Sequence, residues 1–150
     1  GVSEGHTELL FARDALRILA GEPLVGLDID EGTQPAEAGL GSAVSLDKGC
    51  YLGQEAIAML AYRGQLRRHL CWVEPAGDDA PPAGARLRTE AGRRAGLTGT
   101  GFTDASGRSL GLGTIQRKAY EPGVLLQAEA NEDVVSMRVL TTTETGAWQR

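Results

Sequence analysis

Eight consecutive residues, Lys48-Gly49-Cys50-Tyr51-Leu52-Gly53-Gln54-Glu55, gather an ammonium, a thiol, a phenol, an amide and a carboxylate around two glycines. The chain has two cysteines, and this segment uses one of them. Glycine lets backbone approach a ligand closely, so the run suits a polar site at a loop-to-helix junction. Lys48 and a following helix N-terminus would favour a thiolate at Cys50. By residue type alone, Cys50 equally fits a small buried hydrophobe. A second group is the acidic stretch holding Asp28, Asp30, Glu31 and Glu37. It does not meet the register of an EF-hand calcium loop, and by composition alone it is a solvated acidic loop. A third is the basic run from Tyr62 and Arg63 through Arg67, Arg68 and His69. Guanidinium forks match carboxylates bidentately, although arginines at a helix C-terminus also need no ligand. The glycines of 96–104 lack the GK[ST] ending of a phosphate loop and lie among strand-like runs, which excludes that reading.

Composition narrows the classes. A net charge of −5 and a pI near 5.0 argue against a dominant nucleic-acid surface, and no direct nucleic-acid partner is expected. No apolar run approaches the roughly 20 residues of a membrane helix, and no signal-peptide pattern opens the chain. A cytoplasmic protein with free thiols is expected. Two histidines and two cysteines without recognised ligand spacing predict no metal site.

The elements that must position these groups follow from periodicity. Leu9, Leu10, Ala12, Ala15, Leu16, Leu19 and Ala20 recur at helical spacing, with Arg13, Asp14 and Arg17 opposite them, which predicts a helix over 8–20. Gly21 and Pro23 stop it. Residues 22–46 read as irregular, and 53–63 as a second helix ended by Gly64. Beyond it, 70–73 suits a strand. Runs at 85–89, 96–103, 110–116, 124–130 and 134–140 alternate with turn chemistry, which predicts a small all-β barrel or sandwich. The fold class is therefore α+β: a helical and irregular part over 1–66, then a β domain over 67–150.

Two stretches resemble one known family. AGEPLVGLDIDEGTQPAEAGL is similar to the AGxPLYGxDIDExTxPxEAGL segment of the glycine-cleavage T-protein (aminomethyltransferase) superfamily. KGCYLGQE, at the family's distance, resembles the KGC-[YF]-x-GQE signature of its YgfZ-type folate-binding branch. SLGLGTI and EPGVLLQAEA are similar to the family's barrel blocks, so the resemblance spans about residues 8–140. It implies the C-terminal part of a T-protein-like folate-binding domain followed by a small antiparallel β-barrel, with upstream domains of the same protein completing the pocket. It also implies tetrahydrofolate or a derivative as ligand, with Glu37 as the carboxylate that meets the pteridine. An arginine of the basic run would meet the carboxylates of the folate tail; the register leaves Arg63, Arg67 and Arg68 open, with Tyr62 beside them. By the same resemblance Cys50 is a functional thiol within the motif Lys48, Gly49, Cys50, Tyr51, Gly53, Gln54 and Glu55.

The implied role is support of iron–sulfur enzyme maintenance and tRNA modification, with iron–sulfur assembly proteins as partners. The chain lacks the four cysteines of a cluster of its own. The alternative is folate-dependent aminomethyl transfer in glycine cleavage, a family whose catalytic Asp lies upstream of this chain. Val25 stands where the T-protein pattern has Tyr, which removes an aromatic contact.

Overall fold

The computed structural model describes residues 4–77, 82–130 and 133–143, with the backbone alone at 4–8 and 60–63. Along it run α1 (Glu4–Ala20), α2 (Gln54–Arg63), β1 (Arg68–Pro75), β2 (Arg86–Arg88), β3 (Arg94–Thr103), β4 (Ser109–Gln116), β5 (Leu125–Ala130) and β6 (Asp133–Thr142). Each strand overlaps one of the runs read from the sequence. The strands close into a barrel in the order β1-β4-β3-β2-β5-β6, all neighbours antiparallel, with β6 returning to β1. Of barrel and sandwich, the barrel is the outcome, and closure removes the unpaired edges a sandwich must protect.

Strand alternation sends one set of side chains inward. Cys71, Val73, Leu87, Ile115, Leu126, Met137 and Val139 fill the barrel, with alanines at 85, 95 and 128. A six-stranded barrel leaves little room, and a Cβ at Gly113 would lie 3.2 Å from Val73 Cγ1. Each large aliphatic residue buried here contributes about 1.5–3 kcal/mol relative to exposure.

The outward set serves a second purpose. Leu70 and Leu112 form an apolar strip on the outer wall, covered by Ile18 of α1 and flanked by Ile29, Trp72 and Phe102. The Trp72 indole N–H donates to the Ile18 carbonyl at 2.7 Å, tying the last turn of α1 to β1. Gly21, at φ +72°, ends the helix, with Glu22 N–H donating to Arg17 O and Gly21 N–H to Ile18 O, both at 3.0 Å.

The face of α1 that meets the barrel differs from the one its periodicity suggests. Leu9, Leu16 and Leu19 are exposed, Leu16 by 67%, whereas Ile18 is fully buried. The Arg17 side chain, placed on the polar face by pattern, is only 10% exposed. The cause is a polar anchor: Arg17 finds its partners beneath the helix, and that rotation carries the leucines outward. Phe11 still meets Phe102 edge-on, with ring centroids 6.5 Å apart.

Residues 22–40 are irregular, as expected, and lie against the outer wall. Leu70 N–H donates to Glu37 O at 2.9 Å, and the Thr114 hydroxyl to Asp28 O at 3.1 Å. Gly39 (φ +74°) faces Thr143 so closely that a Cβ would strike Thr143 Oγ1. The following segment and α2 pack sparsely, and Leu52 and Met59 are exposed.

Candidate functional site

The loop that carries Glu37 is held by a buried carboxylate. Asp28, its side chain fully buried, accepts from Arg17 Nη1 at 2.9 Å, Leu24 N–H at 2.8 Å, Thr100 N–H at 2.6 Å and the Thr100 hydroxyl at 2.8 Å. Arg17 Nη2 donates to Thr100 Oγ1 at 2.6 Å and Nη1 to Glu22 O at 2.7 Å. Helix, loop and barrel thus meet at one ion pair with its hydrogen-bond capacity filled. Gly99 belongs to it: a Cβ there would collide with Asp28 Oδ1.

About ten residues on, Glu37 is 5% exposed and also engaged. Oε1 accepts from Arg67 N–H at 3.2 Å; Oε2 accepts from Arg68 Nε at 3.2 Å and Gln34 N–H at 3.4 Å. A carboxylate offers about four lone-pair positions, so these three donors, counted among the described residues, leave room for one more. Arg68 Nη2 reaches on to Asp30 Oδ1 at 3.1 Å and Thr33 Oγ1 at 3.0 Å. Burial would lower the Arg68 pKa, but hydrogen bonds and charge from Asp30 and Glu37 outweigh it and raise it. The Thr33 hydroxyl, then Arg68, hold the Asp30 carboxyl below the usual carboxylate range.

Glu37 and Arg68 open onto a cleft of about 660 Å³ whose wall includes Arg67, Arg117 and Lys118. The Arg67 guanidinium is exposed and makes no hydrogen bond among the described residues. Beside the cleft, His69 is half-buried, its ring 5.1 Å from that of Tyr120. Burial, then Arg117, lowers the His69 pKa against a smaller opposing effect of Glu37.

The structure brings some expected residues together and separates others. Glu37 and Arg67 share the cleft, and among the described residues Arg68 is the arginine whose side chain reaches Glu37. Tyr62 and Arg63 end α2, and their side chains lie outside the described residues. Lys48, Gly49, Cys50, Gly53 and Glu55 are exposed and Gln54 is half-buried; none of them lines the Glu37 cleft. Lys48, Gly49 and Tyr51 border a separate shallow hollow of about 330 Å³ with Val44 and Ile57. The Tyr51 hydroxyl is buried without a hydrogen-bond partner among the described residues. Both cysteines are free; Cys50 is exposed, and burial pushes the Cys71 thiol up to about 12. Among the described residues no group of three His, Cys, Asp or Glu could hold a metal ion, and no helix is long and apolar enough to cross a membrane.

Sequence reasoning missed Arg17, Thr100, Arg117 and Lys118. Arg17 carried one legible signal, an arginine one turn before a helix stop and eleven residues ahead of an acid. Thr100 and Arg117 carried none, because strand order alone delivers them.

No protein-family model matches the chain. It is 36% identical over 115 residues to an aminomethyltransferase of Caldanaerobacter subterraneus subsp. tengcongensis, covering 76% of this chain and 30% of that protein. It is 39% identical over 103 residues to a tRNA-modifying protein YgfZ of Sodalis glossinidius, covering 65% of this chain and 31% of the relative. The crystal structure of the glycine cleavage system aminomethyltransferase T from Bartonella henselae superposes with a TM-score of 0.76 at 27% identity, covering 87% of this chain and 37% of that one. The chain thus spans about a third of the length of the curated relatives it matches.

Proposed function

Because this chain is related in sequence and in fold to one part of the T-protein superfamily, which holds the aminomethyltransferases and the YgfZ-type proteins, we propose that it binds a reduced folate at the Glu37 cleft. One observation carries the reading: a buried carboxylate, fixed by Arg68 and two backbone N–H groups, keeps an acceptor position beside an exposed arginine. These residues fit the ligand. A pterin presents N–H donors, one of which suits the position left on Glu37, and the folate tail presents carboxylates that suit the Arg67 fork, with Tyr62 and Arg63 close by in sequence at the end of α2. The bound folate would supply the one-carbon acceptor; the chain's own part is to orient it.

KGCYLGQE supports the YgfZ-type branch. There Cys50 serves as a functional thiol, and the protein supports iron–sulfur enzyme maintenance and tRNA modification in the cytoplasm, with iron–sulfur assembly proteins as partners. The second reading, aminomethyl transfer in glycine cleavage, is supported by the aminomethyltransferase relatives. In both, residues 1–66 form the end of the folate-binding domain and 67–150 the barrel domain, and upstream domains contribute the rest of the pocket.

Calorimetric titration with 5-formyltetrahydrofolate tests the site. Saturable binding by the chain should weaken about tenfold or more in Glu37→Ala, with the circular dichroism unchanged. Equal binding by the variant refutes the assignment; no binding by a folded chain means that these residues form one wall of a pocket the upstream domains complete. Cys50→Ser separates the branches: loss of function in cells with folding intact supports the first, and full function counts against it.

A further inference from the structure

We propose that the pocket between the 26–33 loop and the outer wall of the barrel binds a small amino acid as its zwitterion, with the ammonium at Asp30 and the carboxylate at Arg94. The site is separate from the Glu37 cleft, and the proposal does not depend on the folate reading above.

The loop walls the pocket by its ties to the barrel. The Thr114 hydroxyl donates to Asp28 O at 3.1 Å and seats the loop on β4. Arg68 Nη2 donates to Asp30 Oδ1 at 3.1 Å and lies 3.0 Å from Thr33 Oγ1, which seats it on β1. Between these ties and β3 remains a cavity of about 290 Å³, with Leu27 and Leu97 on its apolar side and Asp30, Gln116 and Arg94 in its polar lining. That is near the lower end of ligand cavities, about 300–1,000 Å³, and suits a small molecule. Strand register sets the span. Arg68 pairs with Gln116 and Gly96 with Ile115, so Arg94, two residues before Gly96, lies beside Gln116 on β3. Two strand-to-strand steps separate Arg68 from Arg94, roughly 10 Å. An α-amino acid spans roughly 3 Å from nitrogen to carboxylate, and with a hydrogen bond of about 2.9 Å at each end it bridges roughly 9 Å.

The two ends carry opposite charge. At one end Arg68 is outnumbered by Asp30 and Glu37, both paired with it. Thr33 and Arg68 donate to Oδ1 of Asp30, and the Gly32 N–H adds a weaker contact, which leaves Oδ2 able to accept from an ammonium. The lowered Asp30 pKa keeps that carboxylate charged at neutral pH. At the other end Arg94 is exposed and makes no hydrogen bond or ion pair among the described residues. Its neighbour Arg88 is answered by Glu129 at 2.7 Å, so the free charge there is that of Arg94. The Gln116 side chain, half-buried between the ends, also lacks a hydrogen bond among the described residues, and its amide can donate to a carboxylate or accept from an ammonium. A polyanion, whether a folate tail or a nucleic-acid strand, would set charge against Asp30, and a simple cation would meet Arg94. A zwitterion satisfies both, the guanidinium fork taking its carboxylate bidentately.

Nuclear magnetic resonance on the full, isotope-labelled chain tests the pocket with L-leucine, whose side chain suits Leu27 and Leu97. Two relatives, N-acetyl-L-leucine and L-leucinamide, each lack one of its charges. L-leucine should shift the amide resonances of Asp30, Arg94 and Leu97 saturably, and each relative should bind about tenfold or more weaker. Arg94→Gln, at an exposed position, should lose about tenfold or more with the rest of the spectrum intact, and Asp30→Asn the same. Either relative binding as tightly as L-leucine overturns the proposal, as does an unchanged affinity in Arg94→Gln. So does the absence of a saturable shift with L-leucine, L-alanine and glycine alike up to about 20 mM. 5-Formyltetrahydrofolate tells the two sites apart. It should leave the L-leucine affinity unchanged; displacement of L-leucine puts the amino acid in the Glu37 cleft and overturns the separate pocket. If the folate fails to bind while L-leucine binds, the pocket stands without the folate reading.

Discussion

Replacing Asp28 with alanine should unfold the junction on which the candidate site depends. The substitution leaves the Arg17 guanidinium, 10% exposed, facing an empty space, and strips acceptors from Leu24 N–H, Thr100 N–H and the Thr100 hydroxyl. Breaking one side of a buried, hydrogen-bonded ion pair costs about 3–5 kcal/mol. Among the described residues the remaining Arg17 charge keeps only Asp14 as an acidic partner, 44% exposed and 3.5 Å from Nε, which places the expected cost toward the lower end. Against a total stability of about 5–15 kcal/mol, that is a large share. For a chain of this length it corresponds to a fall in Tm of about 6–20 °C. Urea unfolding followed by circular dichroism measures it directly: the midpoint should drop with the slope unchanged. Asp28→Asn should lose most of the same stability, since one carboxylate oxygen becomes an NH₂ turned toward donors. The combination Arg17→Leu/Asp28→Leu should cost at least about 1 kcal/mol less than the sum of its single changes, because removing both charges leaves neither stranded. An Asp28→Ala cost below about 1 kcal/mol, or strict additivity in the pair, would refute the reasoning.

Other consequences are open to measurement. Gly99→Ala should destabilise by about 1–3 kcal/mol, because its Cβ meets the Asp28 carboxylate and the Leu112 carbonyl; a neutral result in urea titration removes the close approach as a constraint. Iodoacetamide with mass spectrometry should modify Cys50 in the native chain and reach Cys71 only on unfolding, since Cys71 is buried with its thiol raised to about 12. Native labelling of Cys71 would contradict the closed barrel. His69 is held below the usual imidazole range chiefly by burial, so the unfolded chain takes up that proton first. Its contribution is therefore present above about pH 6.5 and lost as pH falls below it, and His69→Phe should flatten the urea midpoint between about pH 5 and 7. A midpoint profile as steep as wild type would show that another group titrates there.

The strand runs and their breaks were readable because alternation and turn chemistry are local, and Gly21 marked the end of α1 for the same reason. The two family motifs were likewise present in the residues themselves. What the leucines of α1 suggested was the wrong inward face. Periodicity registers where apolar residues recur, but it does not register that Arg17 has an acid waiting 11 residues ahead and a threonine hydroxyl 83 residues away. Which described arginine side chain reaches Glu37 was also beyond local reading. Neighbours in a strand face opposite ways, so only the register of β1 against β4 decides that Arg68, 31 residues from Glu37, turns toward it. The sequence by itself determined the elements, their order and the kinship. Tertiary structure decided that the strands close, that the Glu37 cleft lies apart from the Cys50 segment, and that arginines from three strands, β1, β2 and β3, lie along the barrel's outer wall. Those relations depend on strand order and register across long separations, where no local preference of the chain can act.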